Sequence, residues 1–393
     1  MMAGSRGRRF CAVGSRNVLV RGWAAVVSVA VAAGLAACGG GASASADPSG
    51  ALVVVVGAHS NMPPRALSGR SGSARETAVV QRSQFSLIVA DGAPFQEGAT
   101  VALTHEEGRQ TVDEAVAGAR ARSPEADLVG ALRLAAQELD RHGGLRTLVV
   151  VDSGLSTTGI VNFSTPGMLD AHPGELADAL NDAQQLPDLS GIAVVFDGLG
   201  ETASPQQALD PIRQAQLAAI WTAIAQRAGA TSVHVDETTA SATAAPDASL
   251  PPVTPIEPGL GYSCEGTTMT LVGGPFAFRP DSDQFVDAPS AVQVLTPIAT
   301  QLRAKGISAT MFGTTAAVGE VADRVRFSDE RAQAVADMLI DLDVPIPQLH
   351  VEGLGSDFPD YGADRDGAGR LLPAAAALNR TVRIEFTGPV TCG

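Results

Sequence analysis

Lysine is nearly missing from this chain: Lys305 is the only one among 27 basic residues, against 42 acids. The six histidines are scattered and form no His-Glu-x-x-His pair. There is no Gly-x-Ser-x-Gly elbow and no phosphate loop ending in Gly-Lys. Zinc-protease, serine-hydrolase and nucleotide-hydrolysing chemistry therefore lack their residues. "GLGETA", "GLGYSC" and "GLGSDF" have no third glycine and read as turns, not dinucleotide sites. Asp152, Asp197 and Glu201, near strand ends, are the remaining candidates for a hydrolytic carboxylate pair. Acids are common at such positions, so no enzyme activity and no cofactor are expected. The chain also lacks an apolar run of the roughly 20 residues that a bilayer-spanning helix needs.

The first stretch does carry a signal. Five arginines (Arg6, Arg8, Arg9, Arg16, Arg21) and no acid precede the uncharged run "WAAVVSVAVAAGLAAC", the layout of a signal peptide over residues 1–37. Leu35, Ala36 and Ala37 before Cys38 resemble the lipobox of bacterial lipoproteins. That resemblance implies cleavage before Cys38, a diacylglyceryl thioether on its sulfur, and an N-linked chain such as palmitate. Two or more chains bind a membrane stably where one binds only marginally. The alternative is an ordinary secretory signal cut near this point. "GGGASASADPSG" suits either case as a flexible tether over residues 38–50.

Removing residues 1–37 takes away five basic residues and no acid, leaving 22 against 42 and a net charge of −20. Such a surface repels phosphate, so nucleic acid is excluded as a partner. Two cysteines remain beyond Cys38, namely Cys264 and Cys392. In an exported chain an isolated pair most simply forms one disulfide, which would close the C-terminal part near its two ends. A zinc site, the alternative, lacks His or Cys partners at ligand spacing.

About 350 residues suffice for two domains. "ETTASATAAPDASLPPVTPIEPGLG", residues 237–261, is rich in Pro, Thr and Ala without amphipathic period, and reads as an extended, semi-rigid linker. Before it, over residues 51–236, "ALVVVVGA", "FSLIVADG", "LRTLVVVDSG" and "LSGIAVVFDG" are apolar throughout, as buried parallel strands are. "ADLVGALRLAAQELDRHGG" and "QQALDPIRQAQLAAIWTAIAQRAG" have helical spacing and end at glycine. The alternation predicts a doubly wound α/β domain. After the linker, over residues 262–393, a strand and turn, a helix over 290–306, strands over 307–313, 347–355 and 380–386, and a second helix predict a compact α+β domain with its helices on one face of a small mixed sheet.

That second helix, "FSDERAQAVADMLIDLDV", is expected to start at Ser328, with Ser328 as its cap and Asp329 and Glu330 at the favourable end of the dipole. Ala332, Val335, Ala336, Leu339 and Ile340 form its core stripe. Arg331 then sits in the first turn, where a cation gains nothing locally. Taken alone, it reads as a surface arginine paired with a neighbouring acid.

Four separated segments change that reading: Gly313-Thr314-Thr315-Ala316, Phe327-Ser328-Asp329-Glu330-Arg331-Ala332, Gly353-Leu354-Gly355 and Asn379-Arg380-Thr381-Val382. Their order and spacing resemble the markers of the OmpA-like C-terminal domain over roughly residues 270–388. That family binds peptidoglycan non-covalently through the diaminopimelate of its stem peptide. The resemblance implies that Arg331 grips a ligand carboxylate with two parallel charge-assisted hydrogen bonds. It places Thr314, Thr315, Asn379 and Arg380 beside the site, with Arg380 equally readable as a structural ion-pair partner. The family's Asp, partner of the ligand ammonium, falls at Ala316, and its His at Thr314. That departure implies weaker binding, replacement of the acid by Asp323 or a backbone carbonyl, or a chemically altered stem peptide as ligand.

The first domain resembles a von Willebrand factor A domain around "ADLVGALRLAAQEL" and "LRTLVVVDSGLSTTG". Such domains hold a divalent cation with an Asp-x-Ser-x-Ser loop, a threonine and an aspartate. Here the loop is "VGAHSNMP", Ala126 replaces the threonine, and only Asp152 remains, so no intact metal site is expected. Together these features predict a lipid-anchored envelope protein that binds peptidoglycan and presents an α/β domain to an unidentified protein partner. The competing reading is a partner-binding scaffold whose OmpA-like domain no longer binds wall, and an envelope hydrolase comes last.

Overall fold

The computed structural model describes residues 50–62, 66–236, 248–279 and 282–392. The signal peptide, Cys38, the tether before residue 50 and linker residues 237–247 lie outside the described residues.

Strand β1 (Gly50–Val56) shows why the first sheet is covered on both sides. Its side chains alternate between two cores, Ala51, Val53 and Val55 in one and Leu52, Val54 and Val56 in the other. A run of apolar, mostly β-branched residues buried on both faces is what a central parallel strand requires. The other strands are β2 (Gln84–Val89), β3 (Phe95–Ala102), β4 (Leu145–Val151), β5 (Ile192–Asp197) and β6 (Ser232–Val235), in the order β3-β2-β1-β4-β5-β6. All pairs are parallel except β2 with β3, a polar edge strand reached by a hairpin.

Helices α1 (Gly69–Val80) and α2 (Gly108–Gly118) cover one face through Ala78, Val79, Val112 and Val116. Helices α3 (Leu128–Asp140), α4 (Pro173–Asp182) and α5 (Pro211–Arg227) cover the other. Helix α3 starts where Asp127 accepts from the Gly130 amide at 2.9 Å, and α5 where Asp210 accepts from Arg213 at 2.9 Å with Pro211 in the first turn. The doubly wound arrangement follows directly.

The second sheet is smaller and mixed, ordered β10-β9-β11-β8-β7. Its strands are β7 (Tyr262–Glu265), β8 (Thr268–Val272), β9 (Ala309–Gly313), β10 (Leu349–Gly353) and β11 (Thr381–Phe386). Only β9 and β10 run parallel. Helices α6 (Ala288–Lys305) and α7 (Val321–Asp341) close its core with Leu295, Ile298, Leu302, Val335 and Leu339 against Met311 and Ile384. Cys264 in β7 is disulfide-bonded to Cys392 in the C-terminal tail, across a separation of 128 residues.

Helix α7 corrects the expected start at Ser328. It begins at Val321, so Arg331 stands in its third turn and the first-turn dipole argument does not apply to it. Ser328 is not a cap. Its buried hydroxyl donates to Val325 O at 2.8 Å and accepts from the Gly355 amide at 2.9 Å, tying the helix to the turn after β10. The helix approaches the sheet this closely because Gly313 and Gly353 face it. A Cβ on either would collide with the backbone of Ser328 or Asp329.

The two sheets are joined by more than the chain. Arg380 donates twice to Glu175 of α4, at 2.6 and 2.8 Å. The Gly274 amide donates to Asp170 at 3.3 Å. A third helix of the second domain, α8 (Pro373–Leu378), packs its Ala374 into the core of the first.

Candidate functional site

The turn after β9, Gly313 to Ala317, meets the turn after β10 and the loop from Phe358 to Asp364 at one end of the second sheet. Thr315 N donates to Gly355 O at 2.8 Å, and Leu354 N to Gly313 O at 2.9 Å. Thr314 is only 4% exposed. Its hydroxyl lies 2.8 Å from both Asn379 O and Thr381 Oγ1, so it stitches β9 to β11. Asn379, 3% exposed, donates to Gly362 O at 2.7 Å and accepts from Gly362 N at 3.0 Å. Thr314 and Asn379 therefore support the turns from beneath. Both side chains are buried with satisfied hydrogen bonds, so they shape the turns that the resemblance places beside a ligand. Arg380 follows its alternative reading as a structural ion-pair partner: its Nη2 donates to both carboxylate oxygens of Glu175. Thr315 is buried, with its amide used by Gly355.

Arg331 lies on α7, half-buried. Its Nε donates to Ser282 O at 3.2 Å, and its guanidinium carbon lies 5.3 Å from the Phe278 ring centroid. Phe278 itself stacks on Phe285 with centroids 4.6 Å apart, and the two residues bridge the loop that joins β8 to α6. The position of the arginine is thus fixed by an aromatic hairpin that the four marker segments do not include.

Ala316 is buried, and no acid stands on that turn. An acid lies just beneath it. Asp364 accepts from the Ala317 amide at 2.7 Å, from Tyr361 Oη at 2.5 Å and from Asn379 Nδ2 at 3.3 Å. Burial opposes ionisation of Asp364, but those donors prevail and hold its pKa below the ordinary carboxylate range. Tyr361 is pushed up to about 12 by burial and by that carboxylate. Asp323, the substitute expected from the sequence, pairs with Arg326 at 3.2 Å. Sequence reasoning missed Asp364 because the segment "YGADRDGAGR" looks like a polar loop, with no periodicity to mark a buried acid.

Of the strand-end acids of the first sheet, Asp152 and Asp197 are buried and Glu201 is half-buried. Asp152 is buried after β4, with Oδ1 accepting from Gly154 N at 2.6 Å and Oδ2 without a hydrogen-bond partner. Burial pushes its pKa to about 7. Asp197 accepts from Ser71 Oγ at 2.5 Å and is raised by burial. Glu201 is raised by burial and then by Asp197. After β1, Gly57 lies so close to Asp152 Oδ2 that a Cβ would collide with it. His59 is buried with its pKa lowered by that burial, and Ala126 packs with Met62 and Val253. Among the described residues no cluster of three or more His, Cys, Asp or Glu is placed to hold a metal ion, and no helix is long and apolar enough to cross a membrane.

No curated protein matches the chain. Among solved structures, the periplasmic domain of Helicobacter pylori MotB is 20% identical over 33% of this chain and 88% of that one, with a TM-score of 0.26. The peptidoglycan-associated lipoprotein of Burkholderia pseudomallei is 22% identical over 28% and 86%, with a TM-score of 0.24. An outer membrane protein of Borrelia burgdorferi is 20% identical over 32% and 93%, with a TM-score of 0.23. Residues 277–368, which include the Arg331 helix, the Gly313 and Gly353 turns and Asp364, match the OmpA family model, and the C-terminal domain of this chain is OmpA-like.

Proposed function

We propose that this protein is a cell-envelope lipoprotein, anchored through Cys38, whose OmpA-like domain binds peptidoglycan at Arg331. The observation that carries this reading is the family match over residues 277–368 together with an arginine at position 331, held beside an aromatic hairpin. A planar guanidinium is suited to a stem-peptide carboxylate because it donates two parallel hydrogen bonds. Without an acid at position 316, the ligand ammonium loses its direct partner, and Asp364 supplies negative charge one layer further in. Binding is accordingly weaker than with an exposed acid. The α/β domain is of von Willebrand A type, a reading supported by the order β3-β2-β1-β4-β5-β6 with an antiparallel edge. Gly57 and Ala126 leave it without an ion, and it serves protein interaction, not catalysis.

Co-sedimentation of the mature protein with purified peptidoglycan tests this. Wild type pellets, and Arg331→Ala weakens retention by about tenfold or more, since a hydrogen bond to a charged group contributes about 1.5–3 kcal/mol. Failure of wild type to pellet rejects wall binding. Equal retention of both proteins rejects Arg331 as the grip.

A further inference from the structure

The segment leading into the second domain carries prolines at 251, 252, 255 and 258 and apolar residues at Leu250, Val253 and Ile256. Such a period of three, with this proline content, is that of a polyproline II segment, which turns once every three residues and so places these apolar side chains on one side. All three are buried, while of the residues between them Pro252, Thr254 and Pro255 are exposed and Pro251 is half-buried.

The surface they cover is the carboxyl edge of the first sheet. From β1 the chain crosses to β2 on one side, and from β4 to β5 on the other, so the switch point lies between β1 and β4. Open parallel sheets bind ligands in the crevice at that position. Two buried side-chain amides receive the segment there. Asn61 donates to Val253 O at 2.9 Å and accepts from Val253 N at 2.9 Å. Gln206 repeats the pattern three residues on, donating to Ile256 O at 2.8 Å and accepting from Ile256 N at 2.7 Å. The spacing of these paired amides equals the spacing of the buried apolar side chains.

The rest of the groove is equally specific. Ser60 N donates to Pro251 O at 3.1 Å. Glu125 accepts from Thr254 N at 3.3 Å and from Thr254 Oγ1 at 2.5 Å. Glu125 holds φ at +70°, a left-handed conformation unusual for a residue with a side chain, and backbone strain of this kind collects at ligand clamps. Val253 closes over Met62 and Ala126. A spacer needs none of these fittings; they read the backbone and every third side chain of an extended peptide.

We propose that the carboxyl edge of the α/β domain is a recognition groove for extended, proline-rich protein segments with an apolar residue at every third position, and that residues 250–256 occupy it as an internal competitor. The partner is a protein presenting such a segment. Only residues 237–247 separate β6 and Asp236 from the occupant, and a short covalent connection gives an effective concentration on the order of millimolar. A segment in trans must outcompete that concentration, so the groove opens only to a displaced or abundant partner.

The test uses the full mature chain with its disulfide intact and a fluorescent peptide of sequence ASLPPVTPIEPG, residues 248–259. The double substitution Val253→Asp/Ile256→Asp displaces the internal segment. Fluorescence anisotropy is expected to show that this variant binds the peptide at least tenfold tighter than wild type. Adding Asn61→Ala and Gln206→Ala removes the gain. Binding no tighter than that of a peptide carrying the same two aspartates, or binding untouched by the Asn61 and Gln206 changes, overturns the proposal. A second measurement needs no variant. At roughly 10 mM unlabelled peptide, above the effective concentration of the tethered segment, hydrogen exchange at the Val253 and Ile256 amides of wild type rises at least tenfold. Unchanged exchange there also overturns it.

Discussion

Replacing Asp152 with Asn is expected to change how stability depends on pH, and the structure sets the size. Asp152 is 1% exposed and directly follows β4 in the core. One oxygen accepts from the Gly154 amide at 2.6 Å, and the other has no hydrogen-bond partner. Burial raises the pKa from 3.8 to about 7. Between those values the unfolded chain has lost the proton that the folded chain keeps, so stability falls as pH rises. The contribution is whole below pH 3.8 and is lost as pH passes about 7. At about 1.36 kcal/mol per unit, ionising this group costs the folded state on the order of 4 kcal/mol. Asparagine has the shape of the neutral acid and never ionises. Urea unfolding followed by Trp221, which is buried between Phe163 and Phe196, reports on this domain. The excess stability of Asp152→Asn over wild type is expected to grow from near zero at about pH 4 to about 4 kcal/mol at about pH 8. His59, whose pKa burial lowers, is common to both proteins and cancels in the difference. A difference that stays constant across this range, or shrinks as pH rises, refutes the reasoning.

Two further outcomes follow from contacts between and within the domains. Arg380 and Glu175 are 22% and 20% exposed in their side chains, and Arg380 Nη2 donates to both oxygens of Glu175 across the two domains. A double-mutant cycle with Arg380→Ala and Glu175→Gln is expected to give a coupling energy of about 1–2 kcal/mol in urea unfolding, and additive effects would show that the pair does not join the domains. The Cys264–Cys392 bond closes a span of 128 residues. Loop-closure entropy for that length gives about 5 kcal/mol, so Cys264→Ser/Cys392→Ser is expected to lower the urea midpoint of the second domain markedly, and an unchanged midpoint would contradict the entropic account.

The legible parts of the fold were those with strong local periodicity. Strand β1 is an unbroken apolar run, and α3 carries Leu128, Leu132, Ala135 and Leu139 on one face. Strand β3 was illegible because Gln96, Glu97 and Gly98 sit on a solvated edge with no apolar alternation. Helix α1 contains four glycine and serine positions in its first turns and little apolar pattern. The start of α7 was misplaced because Ser328, followed by acids, is also what a cap looks like. Only the tertiary contact with Gly355 distinguishes a buried mid-helix serine from an N-cap. At the candidate site, burial is not legible in the sequence. Thr314 and Asn379 stand at marker positions, yet their partners come from 65 and 17 residues away and are invisible locally.

The same limit explains the segment before β7, and it has a mechanical consequence. Proline and threonine gave residues 248–260 the composition of a spacer, whereas Asn61 and Gln206, its receptors, lie far upstream. Arg213 of α5 donates to Gly259 O, and β7 begins at Tyr262. Any pull on the OmpA-like sheet that enters through β7 therefore meets the Arg213 contact first and the Gln206 and Asn61 clamps next. The pair Glu175–Arg380 and the contact of Asp170 with Gly274 bear the same load in parallel. Because parallel contacts share a load while serial ones yield in turn, the bound segment leaves its groove only after the interface around Glu175 has opened. Glu175→Gln is thus expected to raise hydrogen exchange at Val253 as well as to loosen the domains. Protection at Val253 that ignores that substitution would show the groove and the interface to be independent.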